Sequence, residues 1–262
     1  MKRLDWAQYR TTEFAAMDPA TTIAILPTCA IEQHGPHLPT GTDTMIAEGM
    51  LAELRAACPD DLNILILPVQ AVGKSNEHVH APGTLTLSAQ TALAAWTEIG
   101  LSVARAGLRK LVIVNSHGGN LDLVSILSRE LRVRAGMLAV KCQWSGFEKP
   151  EGMFSAQERR FGIHAGDYET SLMLAFRPES VDMSQAQDFR SSAEHAPIPP
   201  TGPLSYGWVS SDLNPLGAVG EAHLATAEKG RATCAHQVAG FIGMLRQVRD
   251  LPLDGFAPTL PG

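Results

Sequence analysis

Leu111-Val112-Ile113-Val114-Asn115-Ser116-His117-Gly118-Gly119-Asn120 changes character in the middle. Its first half is a β-branched apolar run, the composition of a strand buried on both faces. Its second half is polar and glycine-rich, so the chain can turn sharply and come close to a ligand. A segment of helical period follows over residues 121–134, with Leu121, Val124, Ile126, Leu127 and Leu131 assigned to its apolar face and Arg129, Glu130 and Arg132 off it. A strand, a polar turn and a helix in that order form one unit of an open parallel sheet. Ligands bind such sheets at the carboxyl ends of the strands.

The same unit recurs on either side. Apolar runs at residues 22–26, 63–69 and 137–142 read as further parallel strands, and residues 44–57 and 88–106 as the helices between them. The order β-α-β-α predicts an α/β fold with a mainly parallel sheet and helices on both faces. No linker-like stretch divides the first two thirds of the 262 residues. We therefore expect one domain over 1–262, with enough of its 45% hydrophobic residues to build a substantial core. Residues 191–215 are rich in Ser and Pro and read as a long functional loop or an oligomer contact. A last helix is expected over 225–248 and an extended tail over 251–262.

The balance of charge narrows the function. A net charge of -6 argues against a nucleic-acid partner. The polar first ten residues contain no signal-peptide core, and no apolar run reaches membrane-spanning length. Cys29, Cys58, Cys142 and Cys234 are scattered without a C-x-x-C pair, which fits free thiols in a reducing compartment. The expectation is a cytoplasmic enzyme acting on a small molecule.

Three polar clusters carry the chemistry. Glu32-Gln33-His34-Gly35-Pro36-His37-Leu38-Pro39 with Asp43 follows the first strand. In an extended chain Glu32 and His34 point to one side, and the Gly and Pro turns can return Asp43 to them. Mixed imidazole and carboxylate donors suit Zn, Mn or Fe better than Ca or Mg. Alternatively, Asp43 could simply cap the helix beginning near residue 44. His117 follows the third strand, where a phosphate-cradling turn would be the competing reading. His164-Ala165-Gly166-Asp167-Tyr168-Glu169 leads into an apolar run and offers a mobile imidazole, His164, with a further carboxylate, Glu169. Each cluster alone has a bland explanation, but an α/β sheet would bring all three together.

These blocks, with Pro82-Gly83-Thr84 and Ala225-Thr226-Ala227-Glu228-Lys229-Gly230, resemble the creatininase (creatinine amidohydrolase) family over nearly the whole chain. The resemblance implies a three-layer αβα fold, a two-metal centre (zinc favoured, manganese or iron in other members) and a homohexamer. It implies that Glu32 and His117 hold one ion and His34 the other, that Asp43 bridges them, and that His164 is catalytic. A glutamate ligand of creatininase falls at Gly119, which places the chain in a Gly-Gly-Asn branch and makes Glu169 the candidate for the missing carboxylate and a second catalytic group. That branch includes a formamide-cleaving deformylase, a peptide-trimming enzyme and a hydrolase of an oxidised inositol. Trp144 resembles one of the tryptophans around creatinine. Arg160 stands where another is expected, which speaks against creatinine as substrate. The expected reaction is hydrolysis of a non-peptide C–N bond, in a cyclic amide or formamide, by a metal-bound hydroxide. C–C or ring-opening hydrolysis of an oxidised cyclitol, and a non-catalytic metal-binding protein, are the alternatives.

Overall fold

The structure is a computed structural model that describes residues 2–257. Four strands, β1 (Thr22–Thr28), β2 (Asn63–Ile66), β3 (Lys110–Asn115) and β4 (Leu138–Gln143), form a parallel sheet in the order β2-β1-β3-β4. Their ends align, with Thr28 opposite Asn115 and Asn115 opposite Gln143. Helices α1 (Thr11–Phe14), α2 (Thr42–Ala57), α3 (Ala89–Arg105), α4 (Leu121–Ala135), α5 (Ala156–Phe161), α6 (Asp167–Phe176), α7 (Ser210–Leu213) and α8 (Ala227–Asp250) complete the main elements.

Alternation along the strands separates two cores. Ile23, Ile25, Ile64, Ile66, Val112 and Val114 face α2, α6 and α8, where Met50, Leu54, Leu172 and Phe241 bury against them. Ala24, Leu26, Leu65, Leu111 and Ile113 face α3 and α4, through Trp96, Val103, Leu127 and Leu131. Each fully buried Leu or Ile contributes about 1.5–3 kcal/mol relative to exposure. The result is the expected αβα layering.

The boundaries differ from the expected ones for local reasons. β2 stops at Ile66 because Pro68 has no N–H for the ladder, although Leu67 and Gln70 still donate to β1 carbonyls. Helix α2 begins at Thr42, so Asp43 lies inside its first turn and Gly41 takes the N-cap position. Ser88 is the N-cap of α3, its hydroxyl accepting from the Thr91 N–H at 3.1 Å. Thr226 caps α8 in the same way, and that helix runs on to Asp250. On α4 the apolar stripe is Leu123, Val124, Leu127 and Leu131; Ile126 falls off it and is 48% exposed.

Residues 191–215 contain α7 and lie between two short strands, β5 (Asp188–Phe189) and β6 (Gly220–Glu221), which pair antiparallel. In the tail, residues 258–262 lie outside the described residues. Residues 251–257 turn rather than extend, with Phe256 N–H donating to Leu253 O and its ring packing on the core. No helix of the described residues is long and apolar enough to cross a membrane.

Candidate metal centre

Every polar cluster meets at the carboxyl edge of the sheet, as the topology requires. Glu32 and His34 follow β1, Asp43 opens α2, His117 follows β3, His164 bridges to Val219, and Glu169 lies in the first turn of α6. Asn120 ties the loops together: its amide donates to Cys29 O at 3.0 Å and to Asn115 Oδ1 at 3.2 Å, and its oxygen accepts from Lys74 N–H at 3.0 Å. The loops after β1, β2 and β3 are therefore held by one side chain.

Two histidines have their tautomers set by backbone carbonyls. His34 Nδ1 lies 3.0 Å from Glu32 O, and His117 Nε2 lies 2.9 Å from Lys74 O. A carbonyl only accepts, so these nitrogens carry protons and the opposite nitrogens face the site. His34 Nε2 lies 3.3 Å from Asp43 Oδ1 and 3.8 Å from Glu169 Oε2. His117 Nδ1 lies 3.1 Å from Asp43 Oδ2 and 3.2 Å from Glu32 Oε1. Asp43 thus presents one oxygen to each histidine.

Such an arrangement calls for positive charge. Burial opposes protonation of His34, yet Asp43, Glu169 and Glu32 lift its pKa to about 9. His117 is raised despite the same penalty, by Glu32, Asp43 and Glu77. Asp43 is buried, which would raise its pKa, but the two histidines hold it below the usual carboxylate range. Burial raises Glu32, with His117 pulling the other way, and raises Glu169 against His34. Glu32 Oε2, His34 Nε2 and Asp43 Oδ2 are buried without a hydrogen-bond partner. Protons or divalent cations could meet the demand. Three sets of donors lie close enough to share an ion, Glu32-His34-His164, Glu32-Glu77-His117 and His34-Asp43-Glu169, and each is one that divalent ions accept.

His164 occupies the third side. Its Nε2 lies 2.8 Å from Gln33 O and therefore donates, which leaves Nδ1 as a lone pair 3.6 Å from Glu32 Oε1. The ring lies between His34 and His78, at centroid distances of 4.3 and 4.4 Å. Burial and the charge on His34 push its pKa down to about 4. Its neighbour Ala165 has φ +56°, a strained conformation for a residue with a side chain, and its N–H donates to Glu169 Oε2 at 2.6 Å. Strain at that residue accompanies the fixing of Glu169.

Sequence reasoning missed Glu77, His78 and the role of Gln33. Glu77 Oε1 lies 3.3 Å from His117 Nε2, behind the ring, and Lys74 pairs with its other oxygen at 2.9 Å. His78 accepts from the Gln33 amide at Nδ1, 2.7 Å away, so its Nε2–H faces Glu32 Oε1 at 3.4 Å. The signal was available: Lys74 to His80 follows β2 as the other clusters follow their strands. Two polar motif residues are structural instead. Asp167 pairs with Lys229 at 2.5 Å, and His37 stacks on Phe189 with Nε2 2.9 Å from Thr170 Oγ1.

The creatininase (creatinine amidohydrolase) family profile matches residues 7–245. The chain belongs to the creatininase family. It is 32% identical over 234 residues to a mycofactocin precursor peptide peptidase of Mycobacterium ulcerans, covering 87% of this chain and 86% of that protein. It is 26% identical over 264 residues to the creatinine amidohydrolase of Pseudomonas putida, covering 93% and 95%. Among solved structures, a tryptophan-to-alanine mutant of creatininase superposes with a TM-score of 0.76 at 24% identity, over 95% of this chain and all of that one. A manganese form of creatininase gives 0.71 at 23%, over 98% and 100%. The fold is that of creatininase, and the chain is a hydrolase of its family.

Two cavities flank the creatininase-like centre. One, of about 290 Å³, is walled by Trp144, Lys149, Tyr168, His164 and Glu169. The other, of about 390 Å³, lies beneath the 200–208 loop with Tyr206 and Trp208. Arg160 lines neither; it is exposed, over the ring of Phe161. Arg160 therefore does not take the place of a tryptophan in a cavity wall. It lies in the last turn of α5, whose buried face is taken by Glu158.

Proposed function

We propose that the protein is a two-metal amide hydrolase, in which Glu32, Asp43 and His117 hold one divalent ion and His34, Asp43 and Glu169 the other. The observation that carries this reading is the pair of carbonyl-fixed histidines whose free nitrogens face opposite oxygens of Asp43. Zinc is favoured by the nitrogen and oxygen donors, and manganese or iron fits the same set. When bound, such ions lower the pKa of a coordinated water toward 7 and polarise a carbonyl.

The chain's own residues then manage protons and position. Neutral His164, anchored through Nε2–H to Gln33 O, can take a proton at Nδ1 and return it to the leaving nitrogen. Glu169, tied to Ala165 N–H, stays fixed beside His34 while this happens. Gln33 holds both His78 and the 217 loop, through Gly217 O at 2.9 Å, so the proton-carrying histidines keep their tautomers.

For the substrate we favour a compact non-peptide C–N bond, a cyclic amide or formamide, because the inner cavity of about 290 Å³ suits a small molecule. Cleavage of a peptide bond is the second reading. It draws on the mycobacterial peptidase relative and on the second cavity across the centre. Protein purified without chelator should carry about two equivalents of metal by elemental analysis and hydrolyse members of a formamide, cyclic amide and short peptide panel. Full activity in metal-free protein would overturn the metal mechanism, and the responding panel member separates the two substrates.

A further inference from the structure

Lys149 lies in the connection between β4 and α5 and lines the inner cavity with His164 and Glu169. Its Nζ sits 4.7 Å from the Tyr168 ring centroid and 5.5 Å from that of Phe154. Among the described residues no hydrogen bond or ion pair is made by this ammonium; its contacts are those two rings. Lysine usually reaches water when it lacks a partner, because an unpaired cation in a partly buried place is costly. Here it is half-buried beside a candidate reaction centre.

The carboxylates that face it are engaged elsewhere. Glu158, which also lines the cavity, accepts from Tyr168 N–H at 3.1 Å and Glu221 N–H at 2.8 Å. Glu169 accepts from Ala165 N–H and stands by His34. Burial lowers the lysine's pKa, and these two carboxylates only partly offset that. Trp144 and Ser116 also line the cavity, but the indole nitrogen and the hydroxyl are buried and have no exposed surface to offer a ligand. The ammonium of Lys149 is the cation that complements an anion here, and the aromatic faces around it bury the attached apolar part.

We propose that the inner cavity is a subsite for a carboxylate of the substrate and that Lys149 is the specificity-determining residue that pairs with it. The word substrate rests on the hydrolase reading above; the binding does not. The carboxylate could belong to a small amide or ureido acid or to the C-terminus of a short peptide, and the cavity's size favours the small acid.

The test is calorimetric titration of metal-loaded protein with two matched pairs of probes. One pair is hydantoic acid and its primary amide; the other is tetraglycine with a free and an amidated C-terminus. Wild-type protein should bind the acid of one pair about tenfold to a hundredfold more tightly than its neutral partner, the worth of a hydrogen bond to a charged group. Lys149→Met should bring that ratio close to one with metal content unchanged, and Lys149→Arg should keep much of it. Preference in the first pair places a small acid in the subsite, and preference in the second alone places a peptide terminus there. Ratios near one for both pairs in wild type, or a preference that survives Lys149→Met, overturn the proposal; in the latter case the carboxylate binds the metals. Failure of the hydrolase reading would show in turnover assays and leave these ratios untouched.

Discussion

His34 and His117 each commit one ring nitrogen to a main-chain carbonyl and turn the other toward Asp43. His164 makes the same commitment, to Gln33 O, but its free nitrogen faces Glu32 at 3.6 Å and lies farther from Asp43. Similar residue types therefore predict different variants. Asp43→Ala should lose at least one equivalent of metal, because the removed carboxylate faces both histidines. His164→Ala should keep its metal and lose roughly 10²–10⁴ in kcat, the usual contribution of a proton-transfer group. Elemental analysis beside single-substrate kinetics separates the two. Loss of metal in His164→Ala would make His164 a ligand. At this scale much could be read in advance, since Glu32, His34 and Asp43 share one short motif rich in turn-forming residues. Glu77 could not be assigned in that way: its partner His117 is forty residues away in sequence and meets it only through the sheet.

At the scale of elements, the turn Gly118–Asn120 between β3 and α4 is the tightest part of the centre. A Cβ on Gly119 would lie 2.0 Å from Glu77 Oε1, 2.4 Å from His117 Nε2 and 2.6 Å from Lys74 O. The space over this glycine is filled by the carboxylate that stands behind His117. Gly119→Ala must push Glu77 or the imidazole aside. We expect a loss of about 10–100-fold in metal affinity, as when the outer partner of a ligating histidine is removed, measured by competition with a chromogenic chelator. Unchanged affinity would mean that the Glu77 contact does not position His117. Glycine here was recognised as a turn former, but its reason is the approach of a second loop. The elements themselves were largely legible, because strands buried on both faces are continuous apolar runs. Their ends were less so: Pro68 and the cap at Gly41 shift boundaries by local hydrogen bonding.

For the whole molecule, the 191–215 segment carries an unusual share of exposed apolar side chains. Leu204 is 69% exposed, and Ile198, Tyr206 and Val209 are exposed as well. Apolar and aromatic side chains grouped on one surface segment are typical of contacts between chains, and we propose that this segment is the contact of a homo-oligomer, with a hexamer as the state to test. Light scattering at micromolar concentration should give about six times the 28.1 kDa chain mass; a monomer would remove the oligomer reading.

The sequence by itself determined the layered α/β architecture and the edge of the sheet where chemistry would gather. Both follow from patterns repeated locally, apolar period and turn residues, which any short window contains. Tertiary structure alone decided which groups share the centre and the cavity. Glu77 and His78 come to it from the loop after β2 and Lys149 from the loop after β4, while Arg160, a better candidate by position in the motif, turns to solvent. The direction of a side chain from a loop is set by long-range packing and by backbone hydrogen bonds across tens of residues, and these exist only once the sheet has assembled.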